Sequence, residues 1–213
     1  MKKTIGITQR IFIDKNGVLC EYLEKEYVEY YSKFFNLIPI SNFTNNLNQI
    51  IKQFDIKGFI LTGGNNLDKK YYINNENIKD NFKQRDDKEF EILDYSIKHN
   101  LKILGTCRGC QIINSYFKGK IEKLDKNIHI AQAHKVNINN NQLSFNSYHE
   151  FGITKNNIGE NLIIKGICEL DNSIEYIEHN KNNITGIMWH PERKKIKQDN
   201  KFNTQLIKKI FEI

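Results

Sequence analysis

Proline is nearly missing from this chain: 213 residues hold two, Pro39 and Pro191. No proline-rich linker marks a boundary, and with neither repeats nor low-complexity stretches the sequence reads as one domain over 1–213. Cysteine is scarce too. The four residues at 20, 107, 110 and 168 lack the pattern of a secreted, disulfide-stapled domain, so free thiols in the cytoplasm are expected. No apolar run is long enough to span a bilayer, and Met1-Lys2-Lys3 is not followed by the apolar stretch of a signal peptide.

Charge of one sign is not segregated either. Lys and Arg number 32 against 25 Asp and Glu, a net charge of +7, but the two signs interleave. A nucleic-acid-binding face is therefore not expected, and Arg193-Lys194-Lys195 reads as a solvated turn. The positive surplus suits a small anionic substrate instead.

What is present is an alternation of short β-like and helical patterns. Residues 5–8 read as a strand, and residues 24–35 place Tyr27, Tyr31, Phe34 and Phe35 at helical spacing. Residues 55–61 form a strand running into Thr62-Gly63-Gly64. Asp86 is a plausible N-cap for a helix to His99, with Phe90, Leu93 and Ile97 on one face. A strand over 101–104, a helix over 108–117, strands over 135–138, 162–169, 174–178 and 184–188, and a helix over 202–211 complete the pattern. This predicts an α/β fold, a three-layer α/β/α flavodoxin-like sheet, largely parallel with added antiparallel strands. Active sites in such sheets lie at the strands' carboxyl ends. The polar stretch 65–85 is too long for a plain loop, so it is expected to be functional or partly structured. Lys69, Lys70, Tyr71 and Tyr72 within it are candidate nucleotide contacts.

Gly105-Thr106-Cys107-Arg108-Gly109-Cys110 falls where strand becomes helix. A tight turn there exposes a nucleophile, and the helix N-terminus favours its thiolate. Three other readings stand beside this one: a buried structural cysteine, a C-x-x-C redox pair, and a zinc site using Cys107, Cys110 and Cys168. The second signal is Trp189-His190-Pro191-Glu192 after an apolar strand. Residues two apart in extended chain share a face, so Glu192 can orient the His190 imidazole, and His190 can serve Cys107 as base. His99, His129, His134, His149 and His179 have no comparable setting and are expected to be exposed or structural.

Six segments carry a family resemblance: 5–8, 61–64, Arg85-Asp86, 105–109, Asn146-Ser147-Tyr148-His149 and His190-Pro191-Glu192. Through them the chain resembles the class I glutamine amidotransferases, and within that family the γ-glutamyl hydrolase-like peptidases. The resemblance implies Cys107 as nucleophile, His190 as base, Glu192 as its partner, and an oxyanion hole from the amides of Gly64 and Arg108. It implies that Gly63, Gln111, Asn146, Ser147 and Tyr148 bind a γ-glutamyl substrate, whose leaving group in some relatives is nucleotide-linked. No metal or organic cofactor and no obligatory protein partner is implied. The chain departs from the pattern at Glu150 and at Asn65-Asn66, which puts the leaving group in question. A glutaminase that feeds ammonia to a separate synthase, or a hydrolase of γ-glutamyl polyamines or folates, fits the same motifs.

Overall fold

The computed structural model describes residues 1–74 and 78–213. The chain runs β1 (Thr4–Thr8), β2 (Arg10–Ile13), β3 (Leu19–Tyr22), α1 (Lys25–Tyr31), β4 (Asn36–Ile40), α2 (Leu47–Gln53) and β5 (Ile56–Leu61). Next come α3 (Lys83–His99), β6 (Lys102–Thr106), α4 (Arg108–Tyr116), β7 (Glu122–Lys123), α5 (Lys126–His129), β8 (Ile130–Ile138) and β9 (Asn141–Tyr148). The last elements are β10 (Phe151–Gly152), β11 (Leu162–Cys168), β12 (Ile174–His179), β13 (Ile184–Ile187) and α6 (Asn200–Phe211).

A nine-stranded sheet has the order β4-β1-β5-β6-β13-β12-β11-β8-β9. From β4 to β13 neighbours are parallel, and from β13 onward they are antiparallel. Helices α2, α3 and α4 bury Leu47, Ile51, Ile92, Leu93, Ile112 and Ile113 in one apolar cluster. Tyr27 and Tyr31 of α1 and Leu206, Ile207 and Phe211 of α6 belong to a second one. Successive residues of a strand serve opposite clusters, as Ile103 and Leu104 of β6 do. The result is the expected three-layer α/β/α mixed sheet. Pro39 is tolerated because β4 lies at the sheet edge, where a missing amide donor costs no ladder bond.

Several local expectations need correction. Helix α1 stops at Tyr31, although Phe35 is still buried. Helix α3 starts at Lys83, so Asp86 is not its cap; this buried carboxylate accepts the Asp68 amide at 2.8 Å and pairs with Arg108. The 65–85 stretch is partly structured, with a 3-10 turn over Lys69–Tyr71 and isolated bridges from Asn66 to Asn81 and from Tyr72 to Ile121. Residues 75–77 lie outside the described residues. Tyr72 is buried with its hydroxyl accepting the Leu67 amide, and Tyr71 packs edge-on against Phe90, so these rings serve packing. No helix among the described residues is long and apolar enough to cross a membrane.

Candidate active site

Three parallel strands end side by side. Leu61 of β5 pairs with Gly105 of β6, and Ile187 of β13 pairs with Thr106, so the next residues of each strand converge on one rim. The rim therefore receives Gly63-Gly64, Cys107 and His190.

Cys107 joins β6 to α4 at φ 52°, ψ −107°, a conformation that a residue with a side chain rarely adopts. Its amide donates to the Ile187 carbonyl at 2.8 Å, and its carbonyl accepts the Cys110 and Gln111 amides of α4. Gly109 makes the sharp turn feasible: a Cβ there would lie 2.1 Å from the Leu61 carbonyl oxygen, so only glycine lets α4 approach β5 this closely. Backbone strain at a reactive side chain is a hallmark of a nucleophile turn.

His190 is pinned from both sides. Its amide donates to Asn146 Oδ1 at 2.9 Å, and its carbonyl accepts from Asn146 Nδ2 at 2.8 Å and Gln198 Nε2 at 3.0 Å. On the ring, Nδ1 lies 2.5 Å from Glu192 Oε1, and Cys107 and the imidazole line the same cavity. Burial opposes charge on this ring. The Glu192 carboxylate and the Cys107 sulfur outweigh it and raise the imidazole to about 9. An imidazolium at neutral pH is the partner a thiolate needs.

The Gly63-Gly64 turn is held by a buried guanidinium. Arg85 donates to the carbonyls of Thr62 at 2.8 Å, Gly63 at 3.0 Å and Gly64 at 2.9 Å. Arg85 pairs with Glu89 at 3.2 Å, and Glu89 and Asp86 both pair with Arg108, the first residue of α4. One ionic lattice thus braces the glycine turn and the start of α4, whose amides are the expected oxyanion donors. Gly64 itself has φ +75°, which glycine adopts freely.

A cavity of about 260 Å³ opens over Cys107 and His190, lined also by Gly64, Gln111, Tyr148, Arg10 and Arg193. Gln111 is oriented by donating to the Phe151 carbonyl at 2.7 Å. Gly63, Asn146 and Ser147 stand behind the wall. The Gly63 amide donates to Tyr27 Oη at 2.8 Å, Asn146 clamps the His190 backbone, and Ser147 Oγ donates to the His129 carbonyl at 2.7 Å. Glu150 lines the cavity and pairs with Lys123 at 3.1 Å. Asn65 fastens the β2-β3 hairpin to the glycine turn, accepting from the Ile11 amide and from Arg85.

Two arginines at the mouth escape a sequence reading. Arg10 and Arg193 each pair with one oxygen of Glu24, and Arg193 lies 4.6 Å over the Tyr148 ring. Two cations on one carboxylate leave positive charge beside the cavity. A second cavity of about 260 Å³ shares Tyr148 and Arg193 and adds Lys194 and Lys195. Arg193 is therefore not part of a merely solvated turn. Nothing in the sequence around Arg10 signals its place; only the hairpin brings it over Gly64.

The redox and cysteine-zinc readings lose support. Cys110 is fully buried, and burial, the Glu175 charge and Cys107 push its thiol well up, which makes it a poor exchange partner. Neither Cys107 nor Cys110 belongs to a group of side chains able to hold a metal among the described residues. His129, His134 and His149 are not exposed; they cluster around Glu175 on the antiparallel side of the sheet.

Residues 4–192 match the family model of Peptidase C26. The chain is 32% identical to the gamma-glutamyl-CDP-amidate hydrolase of Campylobacter jejuni subsp. jejuni, over 98% of each chain. It is 27% identical to a subunit of the glutamine-hydrolyzing GMP synthase of Methanococcus maripaludis, over 68% of this chain and 69% of the relative. Among solved structures, a protein of Thermoplasma acidophilum described as a GMP synthase subunit superposes with a TM-score of 0.70 at 13% identity, covering 99% of this chain and 93% of that one. A glutamine amidotransferase of Thermotoga maritima gives 0.60, also at 13% identity, over 90% and 77%. The fold is that of the class I glutamine amidotransferases.

Proposed function

The chain belongs to the Peptidase C26 family, and we propose that it is a cysteine-dependent hydrolase of a γ-glutamyl amide bond whose leaving group is an anionic phosphoramidate. The observation that carries this reading is the meeting of Cys107, His190 and Glu192 at one strand rim, beside the Arg10–Arg193 pair.

In the proposed reaction Cys107 Sγ attacks the γ-carbonyl carbon, and the oxygen takes up negative charge between the amides of Gly64 and Arg108. His190 gives its proton to the departing nitrogen as the C–N bond breaks. A water molecule, deprotonated by His190, then attacks the γ-glutamyl thioester, freeing glutamate and restoring the thiol. Glu192 holds the ring and supports its charge throughout. Preorganised donors of this kind each supply about 3 kcal/mol in the transition state.

The leaving group is proposed from charge. Arg10 and Arg193 suit a diphosphate, and Tyr148 with Lys194 and Lys195 suits the nucleoside beyond it. γ-Glutamyl-CDP-amidate, giving glutamate and cytidine diphosphoramidate, meets these demands and agrees with the name of the Campylobacter relative. The test is glutamate release from glutamine, γ-glutamyl amines, folyl polyglutamate and γ-glutamyl-CDP-amidate side by side. Preference for the phosphoramidate is expected. Preference for an uncharged amine or a polyglutamate, or weak glutaminase activity stimulated by a partner, refutes the leaving group while sparing the thiol chemistry.

Arg10→Ala is expected to raise KM for the phosphoramidate about 10- to 100-fold, the value of a charge-assisted contact, with kcat changed only a few-fold. Steady-state kinetics decide: an equal loss on glutamine means that Arg10 only shapes the Gly64 turn. pH supplies a second check. The His190 ring is raised to about 9, so the imidazolium is present below that value and lost as pH rises through it. kcat/KM should therefore fall on the alkaline side near pH 9, and Glu192→Gln should move that limb to lower pH. A limb that does not move in the variant means that Glu192 is not what charges the ring.

A further inference from the structure

On the antiparallel side of the sheet four elements bring nitrogen and oxygen donors to one buried point. His129 ends α5, His134 lies in β8, His149 follows β9 and Glu175 lies in β12. All four are buried, with exposures of 0%, 3%, 4% and 0%. Glu175 Oε2 is 3.4 Å from His134 Nε2, and Glu175 Oε1 is 3.4 Å from His149 Nε2 and 3.7 Å from His129 Nδ1. Both ring nitrogens of His134 and of His149 and both Glu175 oxygens lack a hydrogen-bond partner. Leaving that many polar atoms unsatisfied in a core is costly.

The spacing explains the unmade bonds. Distances of 3.4 to 3.7 Å are long for N–H···O bonds to a carboxylate. A tetrahedral ion with bonds of about 2.0–2.2 Å sets its ligand atoms roughly 3.3–3.6 Å apart. The tautomer of His129 agrees. Its Nε2 faces Asp171 Oδ2 at 2.8 Å and so carries the proton. In the neutral ring Nδ1 then holds a lone pair aimed at another acceptor, Glu175 Oε1. Ser147 does not relieve this, because its hydroxyl donates to the His129 carbonyl at 2.7 Å. Two lone pairs face to face call for a cation between them, and a histidine whose far nitrogen is held by a carboxylate is the usual support for a metal ligand.

We propose that His129, His134 and Glu175 bind one divalent transition-metal ion, with Zn²⁺ the best match to this imidazole and carboxylate set and the fourth position left to solvent. One donor atom from each of the three lies within 4.8 Å of the others. The ion ties α5, β8 and β12 together where the chain has no disulfide. Its ligand Glu175 also faces His149, whose neighbours Tyr148 and Glu150 line the cavity over Cys107. The site is separate from the thiol chemistry and has a structural role.

The test uses the full chain with any affinity tag removed, stripped by chelator dialysis and titrated with ZnCl₂ at neutral pH. Calorimetry and elemental analysis after desalting are expected to give one Zn²⁺ per chain with a Kd below about 1 μM. Cys107→Ala should bind equally, whereas Glu175→Gln and His134→Asn should bind at least about 100-fold more weakly. Should those variants not fold, Co²⁺ loading of the unaltered chain decides, with intense tetrahedral d–d bands and no thiolate-to-cobalt charge-transfer band expected. Three results overturn the proposal: no stoichiometric metal in the unaltered chain, loss of binding in Cys107→Ala, or a sulfur charge-transfer band, which places the ion on Cys107 or Cys168. The first would leave the cluster held by protons on His134 and His149.

Discussion

Replacing Cys107 by alanine is expected to lower glutamate release by about 10⁴-fold or more, the cost of deleting a covalent nucleophile when its supporting groups stay in place. The fold should survive, because the thiol is only 7% exposed yet contributes one sulfur to a wall otherwise built by α4 and the glycine turn. A companion variant separates chemistry from strain. Cys107 sits at φ 52°, ψ −107°, which is costly for any residue with a Cβ. Cys107→Gly, equally inactive, should therefore be more stable than Cys107→Ala by about 1 kcal/mol, or roughly 2–4 °C in Tm for a chain of this size. Calorimetry and a glutamate assay on both variants check the pair. Residual turnover above a few per cent in either one contradicts the covalent route, and equal melting temperatures contradict the strain.

Which parts of this were readable beforehand follows from where each signal lives. The strands β1, β5, β6 and β13 are short apolar runs, the last three leading into Gly63, Cys107 and His190, and local pattern suffices for them. The strand-to-helix turn at Cys107 and the His190-Pro191-Glu192 corner, which carry the proposed chemistry, are legible because each is contiguous. Strand β9 has no legible strand pattern, because Asn141, Gln142, Ser144, Asn146 and Ser147 dilute its apolar residues. Its turn was nonetheless written in the chain: Asn139 and Asn140 both take positive φ, as a two-residue hairpin requires. The β2-β3 hairpin leaves Ile13, Val18 and Leu19 exposed, so hydrophobic periodicity gave no handle on it. The histidine cluster and the Arg10–Glu24–Arg193 group draw on residues distant in sequence, and spacing cannot reveal convergence across that many elements.

Glu89→Ala is expected to destabilise the protein by about 3–5 kcal/mol, the cost of breaking a buried ion pair and stranding its partners. Glu89 is fully buried and faces Arg85 on one side and Arg108 on the other. Burial opposes its charge, but Arg108 and Arg85 outweigh that and hold the carboxyl below the usual range. Burial and the neighbouring Arg108 have already drawn Arg85 down to about 10, so the two guanidiniums depend on the carboxylate between them. Without it, Asp86 can still meet Arg108, but Arg85 keeps only neutral acceptors: the Thr62, Gly63 and Gly64 carbonyls, Thr62 Oγ1 and Asn65 Oδ1. Stability and turnover should then fall together, because those carbonyls belong to the proposed oxyanion turn. Glu89→Gln keeps the shape and loses the charge, so it should fall between the two. The sign with pH follows from the lowered carboxyl: its contribution is present above the unfolded value near 4.5 and is lost as pH falls through the folded one. Denaturant unfolding of the three proteins between neutral and acid pH reads this directly. A loss under about 1 kcal/mol in Glu89→Ala would mean that packing of α3 against α4, rather than the ionic lattice, sets the geometry of the rim.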